Sequence, residues 1–194
     1  MGTINIMRVL VVLLVFFASF MVPANGIANP QFSDFIVEVS KGPFAKKIVL
    51  SEVQKSYSNF WKLEIDKQLK KTINFSGRYI IYTSYGGYGV ECKFEGWVCG
   101  WVIDKLTGKV VSELPMDDNG SSIYAGLSDN GTPVGLPFEV DSYKGSSMIA
   151  IIGQSIPMSS SEGDAPVCKS VLFNFTGVKF VKLVEALDGC NFGG

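Results

Sequence analysis

An uncharged apolar run near the N-terminus constrains this chain more than any other feature. Val9 to Val22 reads VLVVLLVFFASFMV, and the only charged residue before it is Arg8. A weakly basic segment, an apolar run and then small residues are the parts of a secretory signal peptide. The run covers about 14 residues, short of the ~20 that a membrane-spanning helix requires, and Pro23 closes it. Ala24 and Gly26 suit the small-residue sites before a cut at Ile27, and Gly26 and Ala28 suit a cut at Asn29. We therefore expect residues 1–26 to be a signal peptide and residues 27–194 to form a single β-rich domain. It would be periplasmic or secreted, with no stable membrane insertion after cleavage.

Export decides how the cysteines are read. Cys92, Cys99, Cys168 and Cys190 are an even set in a compartment where disulfides persist. Three pairings are open. A short glycine-containing loop favours Cys92 with Cys99, which leaves Cys168 with Cys190 to tie down the C-terminal tail. A four-thiolate zinc site is the competing reading, but C-x6-C and C-x21-C are not zinc-ribbon spacings. The charge balance is near neutral, with 17 Lys and Arg against 18 Asp and Glu, and Arg8 leaves with the signal. Phosphate backbones are held by clustered cationic charge, so nucleic acid is not an expected partner.

Along the mature chain, Phe35–Val39 and Ile48–Leu50 read as extended, separated by a turn at Lys41–Pro43. One amphipathic helix follows. Ser51 and Gln54 form a capping box, and Val53, Tyr57, Phe60, Trp61, Ile65 and Leu69 recur at helical spacing. Lys55, Lys62, Lys67, Lys70 and Lys71 occupy its other side, as a solvated face or a docking surface. Strands are expected at Arg78–Thr83, Trp97–Asp104, Val110–Leu114, Ser147–Gly153, Lys169–Phe175 and Val178–Val184. Gly108 supplies positive φ in the turn between the second and third. Met116–Pro137 has loop composition. One helix followed by five to six strands in hairpin order predicts an α+β, mainly β, disulfide-stapled domain with an antiparallel meander.

The sequence contains no histidine. That removes the commonest general base, the Ser-His and Cys-His pairs and the usual catalytic zinc ligand. It also lacks a G-x-S-x-G elbow, an S-x-x-K dyad and a phosphate-binding P-loop. Carboxylate chemistry survives, with Glu91, Glu95, Asp104, Glu113 and Asp141 as candidates for a glycosidase-like pair. No catalytic residue, cofactor or metal is assigned. Asp117, Asp118, Asn119, Asp129 and Asn130 carry oxygens suited to calcium, but they lack the EF-hand order and the closing Glu, and Asp-Asn-Gly is ordinary turn chemistry, the reading preferred here. N-x-[ST] triplets at Asn74, Asn119, Asn130 and Asn174 matter only in a eukaryotic cell.

The most individual segment is Ser84–Trp101, SYGGYGVECKFEGWVCGW, in which large aromatics alternate with glycines. Tyr85, Tyr88, Phe94 and Trp97 are candidate binding residues on a loop shaped by the Cys92–Cys99 pair. The alternative is that Trp97 and Trp101, on one face of a strand, fill the core.

Asn74-Phe75-Ser76-Gly77-Arg78-Tyr79, the Gly-rich stretch ending at Cys92, and Val102-Ile103-Asp104 with Thr107-Gly108-Lys109-Val110 resemble a family of exported bacterial proteins with no established activity. The family pattern is N-F-x-G-x-Y, a G-C-G-T-x-C box and D-x-x-T-G-x-V. This chain reads Tyr85-Gly86-Gly87-Tyr88-Gly89-Val90-Glu91-Cys92 at the box and lacks the first box cysteine. Ser76-Gly77-Arg78-Tyr79 is also similar to the S-G-x-Y element of periplasmic lysozyme inhibitors. That resemblance implies Ser76 and Tyr79 as residues entering an enzyme's cleft. The expected function is a non-catalytic exported binding protein, an inhibitor or immunity protein whose partner is a cell-wall hydrolase or toxin. The alternatives are a carboxylate-dependent glycan hydrolase and a glycan-binding surface protein.

Overall fold

The computed structural model describes residues 30–85, 90–92, 97–116, 118, 120–125, 138–155 and 169–186. The predicted signal segment therefore lies outside the described residues, as do Tyr88, Phe94, Cys168 and Cys190. Two four-stranded sheets and a helical layer make up the rest, an α+β arrangement dominated by β structure.

Strands β1 (Tyr79–Tyr85), β2 (Trp97–Asp104) and β3 (Lys109–Glu113) form an antiparallel meander, and the two-residue β4 (Tyr124–Ala125) pairs with the start of β2. The second sheet runs in sequence order through β5 (Glu139–Ser142), β6 (Met148–Gly153), β7 (Lys169–Phe175) and β8 (Phe180–Ala186), again antiparallel. The sheets meet through β4: Tyr124 bridges to Ser155, and Ala125 N–H donates to Gln154 O at 2.8 Å.

Burial follows the two-residue period of the strands. Tyr79 and Ile81 of β1, Val98 and Val102 of β2, Ile149 and Ile151 of β6, and Val171, Phe173 and Phe175 of β7 face a core between the sheets, with Phe75 and Leu114. The opposite face of the first sheet carries Ile80, Cys99, Trp101 and Ile103 into a second core beneath the helices. With both faces covered, β2 reads as a nearly continuous apolar run, whereas β7 alternates between buried and half-buried residues because, among the described residues, only one of its faces is packed.

The helical layer departs from the single predicted helix. The capping box at Ser51 and Gln54 forms as expected and starts α1 (Glu52–Lys55). The chain then breaks, and a second N-cap, Ser58, starts α2 (Asn59–Leu69). Ser58 Oγ accepts from Trp61 N–H at 3.1 Å, while its own N–H and hydroxyl both donate to the carboxylate of Glu91. A side chain 33 residues away thus satisfies backbone that a continuous helix would have satisfied internally. Trp61, Ile65 and Leu69, four apart, form the buried stripe. The lysines predicted opposite are solvent-facing, and three of them pair within the helices: Lys55 with Glu52, Lys67 with Glu64 and Lys70 with Asp66.

Residues 30–50 contribute isolated bridges instead of full strands. Val37 N–H donates to Gly145 O, Ser40 N–H to Gly77 O, Ala45 N–H to Lys105 O and Val49 N–H to Gly108 O, so this segment runs past the ends of both sheets. Gly108 has φ +70° in the β2–β3 turn, as predicted, and a Cβ there would strike the carbonyl of Lys47.

At the far edge of the second sheet Glu185 takes Lys169 at 2.8 Å and Lys182 at 3.0 Å, and Lys182 also holds Asp118. The hydrogen bond from Lys169, then that from Lys182, keeps the Glu185 carboxyl below its ordinary range. A lowered carboxyl stabilises the fold above its unfolded value and loses that contribution as pH falls through the folded one. Glu185→Gln should therefore cost about 0.5–1 kcal/mol at neutral pH, the usual scale for a partly exposed pair, and less at pH 3. Urea unfolding of both proteins at the two pH values measures the difference.

Candidate functional site

The break between the helices builds a site. Tyr57 sits in the break. Glu91 is brought beside it by the short 3-10 turn Val90–Cys92, which the Cys92–Cys99 disulfide fastens to β2 with a Cα–Cα distance of 5.8 Å. On the other side β3 ends at Glu113 and the chain leaves β2 before returning as β4. The gap between these strands is an open cleft of about 230 Å³, lined by Tyr57, Glu91, Trp101, Glu113, Ser121 and Ser122 among others.

Both carboxylates of the cleft have partners. Glu91 accepts from Ser58 through both oxygens and is 9% exposed. Glu113 accepts from Ser122 Oγ at 2.7 Å and lies open to solvent. Burial, with the nearby charges of Glu113 and then Glu91, pushes the Tyr57 phenol above its ordinary value, so it remains a proton donor well into the alkaline range. Ser121 is buried, its hydroxyl bonded to the backbone of Ile123.

A separate recess of about 10 Å³ has Glu91 and Trp101 in common with the cleft's lining; Phe60, Trp61, Glu64, Tyr82, Ser84 and Cys92 complete its wall. The aromatic rings support one another, Tyr57 edge-on to Trp61 at 4.8 Å, Trp61 edge-on to Trp101 at 5.8 Å and Tyr82 stacked on Trp101 at 6.0 Å. Trp101 is 2% exposed and belongs to the core, yet it also lines the cleft.

Of the five carboxylates singled out in the sequence, only Glu91 and Glu113 share this cleft. Asp104 is buried in the β2–β3 turn, accepting from Leu106 N–H at 2.9 Å and lying 3.4 Å from Arg78. Asp141 is on the second sheet, and Glu95 lies outside the described residues. Asp118, one of the oxygens weighed for calcium, is paired with Lys182, which holds its carboxyl below the ordinary range; Asp117, Asn119, Asp129 and Asn130 lie outside the described residues.

The aromatic and S-G-x-Y candidates are dispersed. Tyr79 is 4% exposed, its ring against Phe175 and its hydroxyl 3.4 Å from Gly177 O. Ser76 has φ +41° and Gly77 +76°, and their N–H groups donate to Ser146 O and Lys144 O. The turn thus joins the first sheet to the β5–β6 hairpin, and it does not present Tyr79 to a partner. Asn74 of the same segment uses both ends of its amide on the backbone of Ile81. Tyr85 is exposed at the end of β1, edge-on to Phe138 at 6.0 Å, and Trp97 is half-buried at the start of β2.

Sequence reasoning assigned Tyr57, Trp61 and Tyr82 to a helix face and a strand, and did not connect them with Glu91. The available signal was Ser58, a second capping residue inside a helical pattern. No protein-family model, curated protein or solved structure matches the chain.

Proposed function

We propose that the protein is an exported binding protein without catalytic activity, and that the cleft between Tyr57, Glu91 and Glu113 is its ligand-facing surface. The observation that carries this reading is the state of Glu91. Its two oxygens hold Ser58 at the start of α2, so one of the two cleft carboxylates is committed to scaffolding and serves a ligand as a fixed acceptor. The floor is braced by a disulfide and by paired strands, which suits a preformed site. An inhibitor that blocks a hydrolase or toxin would need a projecting element. With Tyr79 inside, a concave site for a small ligand or a chain segment is the better supported surface.

Incubation of the protein with candidate ligands from the cell exterior, read by hydrogen exchange, tests this. Added protection at residues 57, 91, 113 and 121–122 is the expected result. Protection confined to Tyr85 and the second sheet would move the binding surface elsewhere.

The second reading, a glycan hydrolase, is favoured by the meeting of Glu91 and Glu113 in one cleft. Wild-type protein and Glu113→Gln should release no reducing ends from cell-wall glycan. Release by wild type that the variant abolishes would make the protein an enzyme.

A further inference from the structure

Positive charge is concentrated on one layer of this molecule. Residues 44–71 hold seven of the chain's 17 Lys and Arg and three of its 18 Asp and Glu, so this stretch is four positive in a chain that is one negative. Charge gathered on one surface acts on a partner in a way that a near-neutral total does not. Glu52, Glu64 and Asp66 pair in turn with Lys55, Lys67 and Lys70. Lys46, Lys47, Lys62 and Lys71 are the surplus, and Lys46 and Lys47 are exposed with no acidic partner among the described residues.

Helix α2 gathers these cations around exposed apolar side chains. Phe60, Leu63, Lys67 and Lys70 follow one another at helical spacing, turned away from the buried stripe of Trp61, Ile65 and Leu69. Leu63 is 70% exposed and Phe60 55%. Lys62, Asp66 and Lys70, four apart, form the adjoining row. Together with Lys46, Lys47, Ile48 and Leu50 that row lines an open depression of about 440 Å³, and Lys70 belongs to both rows. A small anion needs fixed donors that close around it, whereas these cations stand on flexible stems over an open hollow. A soluble polyanion would answer the charge and leave Leu63 in water. A membrane surface bearing anionic lipid answers both, its headgroups meeting the lysines and its acyl boundary taking the leucine.

We propose that the outer face of α2, with residues 46–50 beside it, adsorbs reversibly to a membrane surface rich in anionic phospholipid, Leu63 entering the acyl boundary. No helix among the described residues is long and apolar enough to cross a bilayer, so the contact is peripheral. The lysine-lined depression has no lining residue in common with the cleft, and the two assignments stand or fall separately.

The test uses protein lacking residues 1–26, so that the apolar N-terminal run cannot itself bind lipid. It is sedimented with vesicles of phosphatidylcholine alone and of phosphatidylcholine mixed with phosphatidylglycerol. Binding should require phosphatidylglycerol and weaken steeply as salt is raised, because exposed charges are screened. Lys46→Gln combined with Lys47→Gln should lower the partition constant about twentyfold, at roughly fivefold for each lysine. Leu63→Ser should lower it about fivefold through lost apolar contact. Lys179→Gln, in the β7–β8 turn, removes the same charge from the second sheet and should leave binding unchanged. All four side chains are exposed, so the fold tolerates each change.

Equal binding to both kinds of vesicle, or to neither at low salt, would overturn the proposal. Binding that Leu63→Ser leaves intact and that soluble polyphosphate displaces would also overturn it, assigning the face to soluble polyanions. A loss in Lys179→Gln as large as that in the lysine pair would do the same, since total charge and not this face would then set the affinity.

Discussion

Phe75→Ala is expected to lower the unfolding free energy by about 3–5 kcal/mol, the range for a buried phenylalanine cut to its β-carbon. The ring is 0% exposed and stands 5.4 Å from Phe175 and 6.2 Å from Phe180. It belongs to the segment that enters β1, while its neighbours come from β7 and β8, so it is one of the side chains that hold the two sheets together. Truncation removes the transfer free energy of the ring and leaves a void between two sheets whose strands cannot close on it independently. Denaturant unfolding of the variant measures the loss, with Ile36→Ala, at a side chain 78% exposed, changing stability by less than about 0.5 kcal/mol as the control. A loss under about 1.5 kcal/mol for Phe75→Ala would mean that the sheets are not packed through this ring.

Paired replacement of Cys92 and Cys99 by serine should cost about 2–3 kcal/mol, the chain-entropy value for a bridge between residues seven apart. The consequence for the site should exceed that for the fold. Glu91 precedes Cys92, and its bonds to Ser58 define where α2 starts. Released from β2, the Val90–Cys92 turn loses its anchor, and protection at the first turn of α2 should fall by more than protection in β7. Hydrogen exchange compared between the oxidised protein and the serine variant distinguishes the two. Equal loss in α2 and β7 would show that the bridge acts on the whole molecule alone.

Much of the architecture was legible because it is locally encoded. The Ser51–Gln54 capping box, the run Trp97–Asp104, the positive φ at Gly108 and the β7–β8 hairpin each follow from a few adjacent residues. The structure adds β4, inside the expected loop Met116–Pro137, and β5, in a stretch the sequence reading left unassigned. A two-residue strand has no period to detect, and β5, EVDS, gains its place only by pairing with β6. The helix break was hidden for a related reason: Ser58 is an ordinary polar residue until Glu91 arrives from another part of the chain. The site shows the same division. Glu91 and Glu113 stand out as carboxylates in a chain without histidine, but their shared cleft depends on a turn, a disulfide and the end of a strand meeting in space. The S-G-R-Y element illustrates the opposite case, where a short motif with a functional resemblance serves as a junction between sheets.

The outer face of the second sheet offers a practical handle. Val184, 41% exposed on β8, belongs to the sheet that lies across the first sheet from the helices and cleft. A tether or fluorophore attached there leaves the cleft unobstructed, so immobilised protein can be presented in one defined orientation.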